Sequence, residues 1–152
     1  MIFDAIDPEE LGPTRGWTNG MLAPPGGRIL FVAGQDAASD DGRVETDDFA
    51  EQFELALRKT LTVVRAAGGG PDAIGRMTVY VTDLDAYRDA RKSIGVSWRA
   101  LMGPRYPAMA LVEVSRLVDP RGLVEIETTA VVLPRQAGSP GVEDDHEADT
   151  SS

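Results

Sequence analysis

Cysteine does not occur in this 152-residue chain, which excludes disulfides, thiolate nucleophiles and cysteine-zinc sites together. Histidine is almost as scarce. His146 is the only one, so a Ser-His-Asp or Cys-His mechanism has no imidazole base in the body of the chain. No run approaches the roughly 18 apolar residues of a membrane-spanning helix. The opening Met1-Ile2-Phe3-Asp4-Ala5 lacks the basic stretch and apolar run of a secretory signal. The cytoplasm is the expected location, and no membrane partner is expected. Positive charge is thin as well: 15 Lys and Arg stand against 25 Asp and Glu, a net charge of −10. Binding a phosphate backbone needs clustered cations, so nucleic acid is not an expected partner.

Apolar residues make up 42% of the chain, enough for the core of one domain of ordinary size. They stop short of the C-terminus. Residues 135–152 hold Gly, Ser, Pro and five acids against one arginine, with almost no large apolar side chain. This composition predicts a folded domain over 1–134 and a disordered acidic tail over 135–152. The run Glu143-Asp144-Asp145-His146-Glu147 reads as a solvated charged segment and not as a metal site. Neither a metal nor an organic cofactor is expected.

Within the folded part, Arg28–Ala33 follows Pro24-Pro25-Gly26-Gly27 and runs into Gly34, the pattern of a buried strand. A shorter strand around Trp17–Leu22 is expected to pair with it across the Pro/Gly turn. Thr46-Asp47-Asp48 supplies capping oxygens for a helix whose apolar positions are Phe49, Phe53, Ala56/Leu57, Leu61, Val64 and Ala67. Gly68-Gly69-Gly70-Pro71 stops it. This glycine run follows a helix and has no Lys-Ser/Thr after it, so it is no phosphate cradle. Met77, Val79 and Val81 alternate with polar neighbours as the next strand. Thr82-Asp83 caps a second helix, with Tyr87, Ile94, Trp98 and Leu101 on one stripe and Gly103-Pro104 at its end. Strands over Met109–Leu117 and Leu123–Leu133 complete an α+β layer in which two helices cover one face of a mixed sheet. The last strands carry apolar residues on both faces, including Val131 and Leu133 opposite Val124, Ile126, Ala130 and Val132. One chain has helices for only one face, so the other is expected to pack against further copies.

Six segments taken together resemble the RidA (YjgF) family. They are Val32-Ala33-Gly34-Gln35, Ala66-Ala67-Gly68, Thr78-Val79-Tyr80-Val81-Thr82-Asp83-Leu84, Tyr106-Pro107-Ala108, Val112-Glu113-Val114 and Val124-Glu125-Ile126-Glu127. They occur in the family's order between about Gly16 and Leu133. The resemblance implies a chorismate-mutase-like fold and a homotrimer whose sheets form a barrel-like core, with ligand clefts between subunits. It implies hydrolysis of enamines or imines to a keto acid and ammonia, without metal or cofactor. A non-catalytic trimer that binds a metabolite or partner in the same clefts is the alternative.

By the same resemblance, Glu125 matches the carboxylate that orients the attacking water, and Gly34 the glycine whose backbone faces the ligand. Trp17 stands where the family usually has a pocket tyrosine, Ala33 where a serine is frequent, and Arg91 where an asparagine lines the pocket. Met109 replaces the arginine of the family's Pro-Ala-Arg motif, here Pro107-Ala108-Met109. A thioether cannot form the bidentate, charge-assisted pair that holds a substrate carboxylate, but it fills space against an apolar ligand. The helical stripe independently sets Tyr87 and Arg91 on the side that faces the sheet, and Arg91 is expected to reach a cleft shared with Met109 and Glu125. The candidate site is therefore Glu125 as the catalytic group, with Trp17, Ala33, Gly34, Tyr87, Arg91 and Met109 contacting substrate. Arg105 is a second candidate cation, and Trp98 is expected in the core. Glu127 lies on the same strand face as Glu125, about 7 Å away, and is expected to be structural.

Overall fold

The computed structural model describes residues 2–134. The acidic tail expected over 135–152 lies outside the described residues. The chain runs β1 (Asp4–Ile6), β2 (Gly20–Leu22), β3 (Arg28–Gln35), α1 (Phe49–Ala66), β4 (Ile74–Val81), α2 (Leu84–Met102), β5 (Ala108–Glu113) and β6 (Val124–Val132), with short 3-10 turns at Glu9–Leu11 and Pro71–Ala73.

Both helices begin where side-chain oxygens can take up unpaired backbone N–H groups. The Glu51 N–H donates to Asp48 at 2.8 Å and the Ala86 N–H to Asp83 at 2.8 Å. A third acceptor reaches α2 from β5, since the Leu84 N–H donates to the Glu113 carboxylate at 2.8 Å. Helix α1 ends as the glycine run predicts. Gly68, at φ 92°, turns the chain, and the Gly69 N–H bonds back to the Val64 carbonyl.

Strands β3, β6, β4 and β5 form one open mixed sheet in that order. β3–β6 and β6–β4 are antiparallel, while β4–β5 are parallel and joined by the α2 crossover. Both helices lie on one face. Leu57, Leu61 and Val64 of α1 and Ile94, Trp98 and Met102 of α2 pack against Val32, Met77, Val79, Val81, Val124, Ile126 and Ala130. Fully burying a side chain of this size stabilises the fold by about 1.5–3 kcal/mol. The α+β layer is the one the sequence predicts.

Polar side chains also enter the core, among them Thr60, Thr128 and Gln52. Gln52 is fully buried. It donates to the carbonyls of Thr46 (2.7 Å) and Arg121 (3.0 Å) and accepts from the Leu123 N–H (2.8 Å). It thereby fastens the loops before α1 and before β6 to the helix.

Two strand assignments are corrected. The expected Trp17–Leu22 strand is limited to Gly20–Leu22 and pairs with β1, not with β3 (Asp4↔Leu22, Ile6↔Gly20). The Asp7 carboxylate holds this arrangement together by accepting from the Asn19 N–H (2.6 Å), the Asn19 side-chain amide (3.0 Å) and the Thr18 hydroxyl. The Asn19 backbone bond above all holds the Asp7 carboxyl below the usual carboxylate range. The buried Phe3 ring anchors the segment against Gly75, where a Cβ would stand 2.6 Å from the ring. The strand expected over Met109–Leu117 spans Ala108–Glu113. Its last bond joins the Val114 N–H to the Val81 carbonyl, where its parallel partner ends.

Candidate functional site

Alternation along the strands sorts the candidate residues onto two faces. Met77 pairs with Met109 and Val79 with Leu111, so Met109 and Leu111 share the helix side with the core. Tyr80 pairs with Glu125 and Thr78 with Glu127, so both glutamates lie on the side without helices. Met109 and Glu125 therefore stand on opposite faces within one chain.

On the helix side a groove of about 390 Å³ lies between α2 and the β5 edge, and Tyr87, Arg91, Trp98, Tyr106, Met109 and Leu111 contribute to its lining. The Trp98 indole N–H donates to the Arg105 carbonyl at 3.0 Å, and its ring stacks on Tyr106 with centroids 5.4 Å apart and planes 11° from parallel. This contact orders the loop that leads into β5. It also accounts for Trp98 as a core residue. Tyr87 is half-buried and packs tilted against Phe49 at 6.2 Å. Met109 remains 39% exposed and Tyr106 41% exposed, so both offer surface to the groove. Arg91 lines the groove too, but its guanidinium is exposed. Its Nε donates to the Arg88 carbonyl at 3.3 Å, and among the described residues it forms no ion pair. The expected Arg91–Glu125 pair does not form within one chain, because the sheet separates the two. Gly16 completes one side of the groove. Its neighbour Trp17 is 53% exposed. Arg105 sits half-buried in the loop after α2 and contributes its carbonyl to Trp98.

On the bare side, Glu125 is half-buried next to Gly34, where a Cβ would collide with its carboxylate. A side chain at position 34 would thus displace the Glu125 carboxylate from its place beside β3. The irregular β3–β6 pairing between Val32 and Gln35 brings Gly34 alongside, and Ala33 stands exposed beside it. Among the described residues Glu125 forms no ion pair. Glu127 differs: it accepts the Tyr80 hydroxyl at 2.9 Å. That bond, more than any other influence, raises the Tyr80 phenol above its ordinary value.

Sequence reasoning did not single out Tyr106, Leu111 or Gly16 as groove residues. Tyr106 lies in the Tyr106-Pro107-Ala108 segment, next to the Met109 replacement, and that position was the available signal.

The family model described as Endoribonuclease L-PSP matches residues 9–132, nearly all of the described chain. The chain belongs to the RidA (YjgF) family. A RutC family protein of Pyrococcus horikoshii is 29% identical over 132 residues, covering 86% of this chain and 95% of that protein. A Rid-family protein of unknown function from Yersinia pestis superposes with a TM-score of 0.75 at 27% identity, covering 87% of this chain and 100% of the other. E. coli TdcF, solved with bound serine, superposes with a TM-score of 0.60 at 27% identity, covering 79% of this chain and 91% of that one. The Rid fold is therefore shared, and on it Met109 lies at the groove and Ala33 beside Gly34.

Proposed function

We propose that this Rid-family chain hydrolyses a small enamine, imine or related nitrogen intermediate in cytoplasmic clefts between the subunits of a homotrimer, with Glu125 steering the attacking water. The observation that carries this reading is the state of Glu125. Its carboxylate is half-buried, beside a glycine bare enough to admit it, and no cation among the described residues neutralises it. A carboxylate serving only to hold strands of its own chain together would be expected in an ion pair or hydrogen bond within that chain, as Glu127 is with Tyr80. This one is left able to take a proton from water and pass it to a leaving amine.

The two halves of the candidate site also ask for a second chain. The groove opens at the β5 edge of the sheet, whereas Gly34 and Glu125 lie near the β3 edge. Copies arranged head to tail in a closed ring bring unlike edges together, so the groove of one chain can meet the Glu125 of the next. Such a ring also covers the apolar bare face.

Replacement of the arginine by Met109 favours a ligand without the usual α-carboxylate, bulkier or more aromatic than an amino-acid imine. It is also the observation behind the alternative, a trimer that binds a metabolite without turnover. Turnover of 2-aminoacrylate, followed with semicarbazide trapping, is expected to be slow and to rise in Met109→Arg. On any imine that the wild type hydrolyses above background, Glu125→Gln is expected to reduce the rate about 100-fold or more with the fold retained. An unchanged rate in Glu125→Gln would remove Glu125 as the water-steering group, and a wild type without turnover above background on such imines would favour the binding reading.

A further inference from the structure

We infer that the α2 groove accepts an organic carboxylate with a flat aromatic body, its charged end read by Arg91 and its body held by Tyr106 and Met109. This rests on reading the groove as the ligand cleft. It moves the anion from the reacting end of the substrate to a remote position.

The chemistry of the lining sets the class of ligand. The floor is apolar: Phe53, Val79, Ile94 and Leu111. Groups of this kind favour an apolar body and give an isolated charge no partner. Tyr106 is the accessible end of the Trp98–Tyr106 stack, and the stack together with the Trp98–Arg105 bond fixes its plane. A preset ring favours another flat ring, stacked or edge-on. Met109 adds a polarisable sulfur that fits an aromatic edge.

Arg91 is the single charged residue in the lining. Its one recorded hydrogen bond uses Nε, so the terminal nitrogens have no partner among the described residues. A planar fork of this kind matches a carboxylate with two parallel bonds. Position 95, one turn further along the same helix, is glycine, and a Cβ there would meet nothing within 4 Å. The groove consequently continues over a bare strip of helix onto Lys92 and Arg99, which share a shallow surface groove with Arg91. In a chain of net charge −10, this mouth is cationic, and it presents an anion with an entrance next to the apolar floor. A larger groove of about 570 Å³ on the outer helix surface is lined by Asp48, Glu51, Glu54, Ser93 and Ser97. It lacks this character: Glu54 there already accepts from Ser97 at 2.6 Å and from Arg58 at 2.7 Å.

The test is isothermal titration calorimetry on the full chain with three probes: indole-3-acetate, its neutral analogue indole-3-acetamide, and acetate. Indole-3-acetate is expected to bind at least about tenfold more tightly than either of the others, equivalent to about 1.4 kcal/mol. In Arg91→Gln its affinity is expected to fall to that of the amide, while affinity for the amide stays unchanged. Tyr106→Ala is expected to weaken both indole ligands alike; Arg91→Gln would show that same pattern if Arg91 had a merely structural role, whereas loss of charge recognition spares the amide. Equal affinity of the wild type for acid and amide, or a preference that survives Arg91→Gln, overturns the inference. Because binding is read and not turnover, either result leaves the Glu125 reading standing. A Glu125→Gln variant that keeps the wild-type rate, with Arg91-dependent binding intact, would do the reverse.

Discussion

On the helix side of the sheet, Met77, Val79, Val81, Val124 and Ile126 are completely buried, whereas on the other side Phe31 is 79% and Ile29 64% exposed. The sheet is the same and the alternation is the same. What differs is the cover. The buried side holds the chain together. The bare side presents exposed apolar side chains beside a carboxylate that has no ion-pair partner among the described residues, and isolated monomers rarely leave a large apolar patch uncovered. Residues of comparable hydrophobicity are therefore committed to folding on one side and left available for association on the other.

Substitution on each face separates these roles. The largest loss of folding stability is expected for Ile126→Ala, about 2–5 kcal/mol, because the cavity it leaves is enclosed by the helices and cannot refill. Chemical denaturation monitored by circular dichroism measures it. Gln52→Leu is expected to follow at about 1–3 kcal/mol, since it strands two carbonyls and one N–H that have no other partner among the described residues. Phe31→Asp is expected to change the stability of the single chain by only a few tenths of a kcal/mol. Its effect should appear in sedimentation, as a fall from trimer to monomer mass at a concentration where the wild type stays assembled. A monomeric wild type would remove the contrast between the faces altogether.

The smallest effect concerns acid. Asp119 accepts from the Arg121 N–H at 2.8 Å and the Val44 N–H at 3.0 Å. These bonds, Arg121 first, hold its carboxyl below the usual range. A group with a depressed folded pKa adds stability that is complete above its unfolded value, about 3.9, and is lost as pH falls through the lower folded value. Asp119→Asn is therefore expected to flatten the stability-versus-pH curve in the region below about pH 4 and leave its shape unchanged near neutrality.

Much of the fold was legible because its signals are local. The caps at Asp48 and Asp83, the stripe from Phe49 to Val64 and the glycine stop after Ala66 each act within a few residues. The β1–β2 pairing was not legible. A three-residue strand has no periodicity to read, and the Asp7 clasp on Thr18 and Asn19 depends on groups 11 and 12 positions apart. Gln52 hid in the apolar stripe as a polar interruption, since its partners come from distant loops. The site was half legible. Alternation tells which neighbours of Glu125 share its face, but only the register between strands shows that Met109 occupies the opposite one. The lone guanidinium of Arg91 likewise follows the apolar stripe in sequence, yet its length carries the charge out to the rim of the groove.

The order of strands in the sheet has a consequence for how the chain is born. β6 lies between β3 and β4, and it is the last of these four strands along the chain. Residue 28 finds its partner only at residue 132. During synthesis, β3 and β4 consequently leave the ribosome with no strand between them, and α1 has only part of its surface to pack on. The sheet assembles by insertion of its centre once the final strand emerges, a non-local step that contact-order arguments place among the slower ones. Until then, the apolar sides of β3 and β4 stand open to the surrounding protein, and the nascent chain relies on speed or on a chaperone to keep them apart from it.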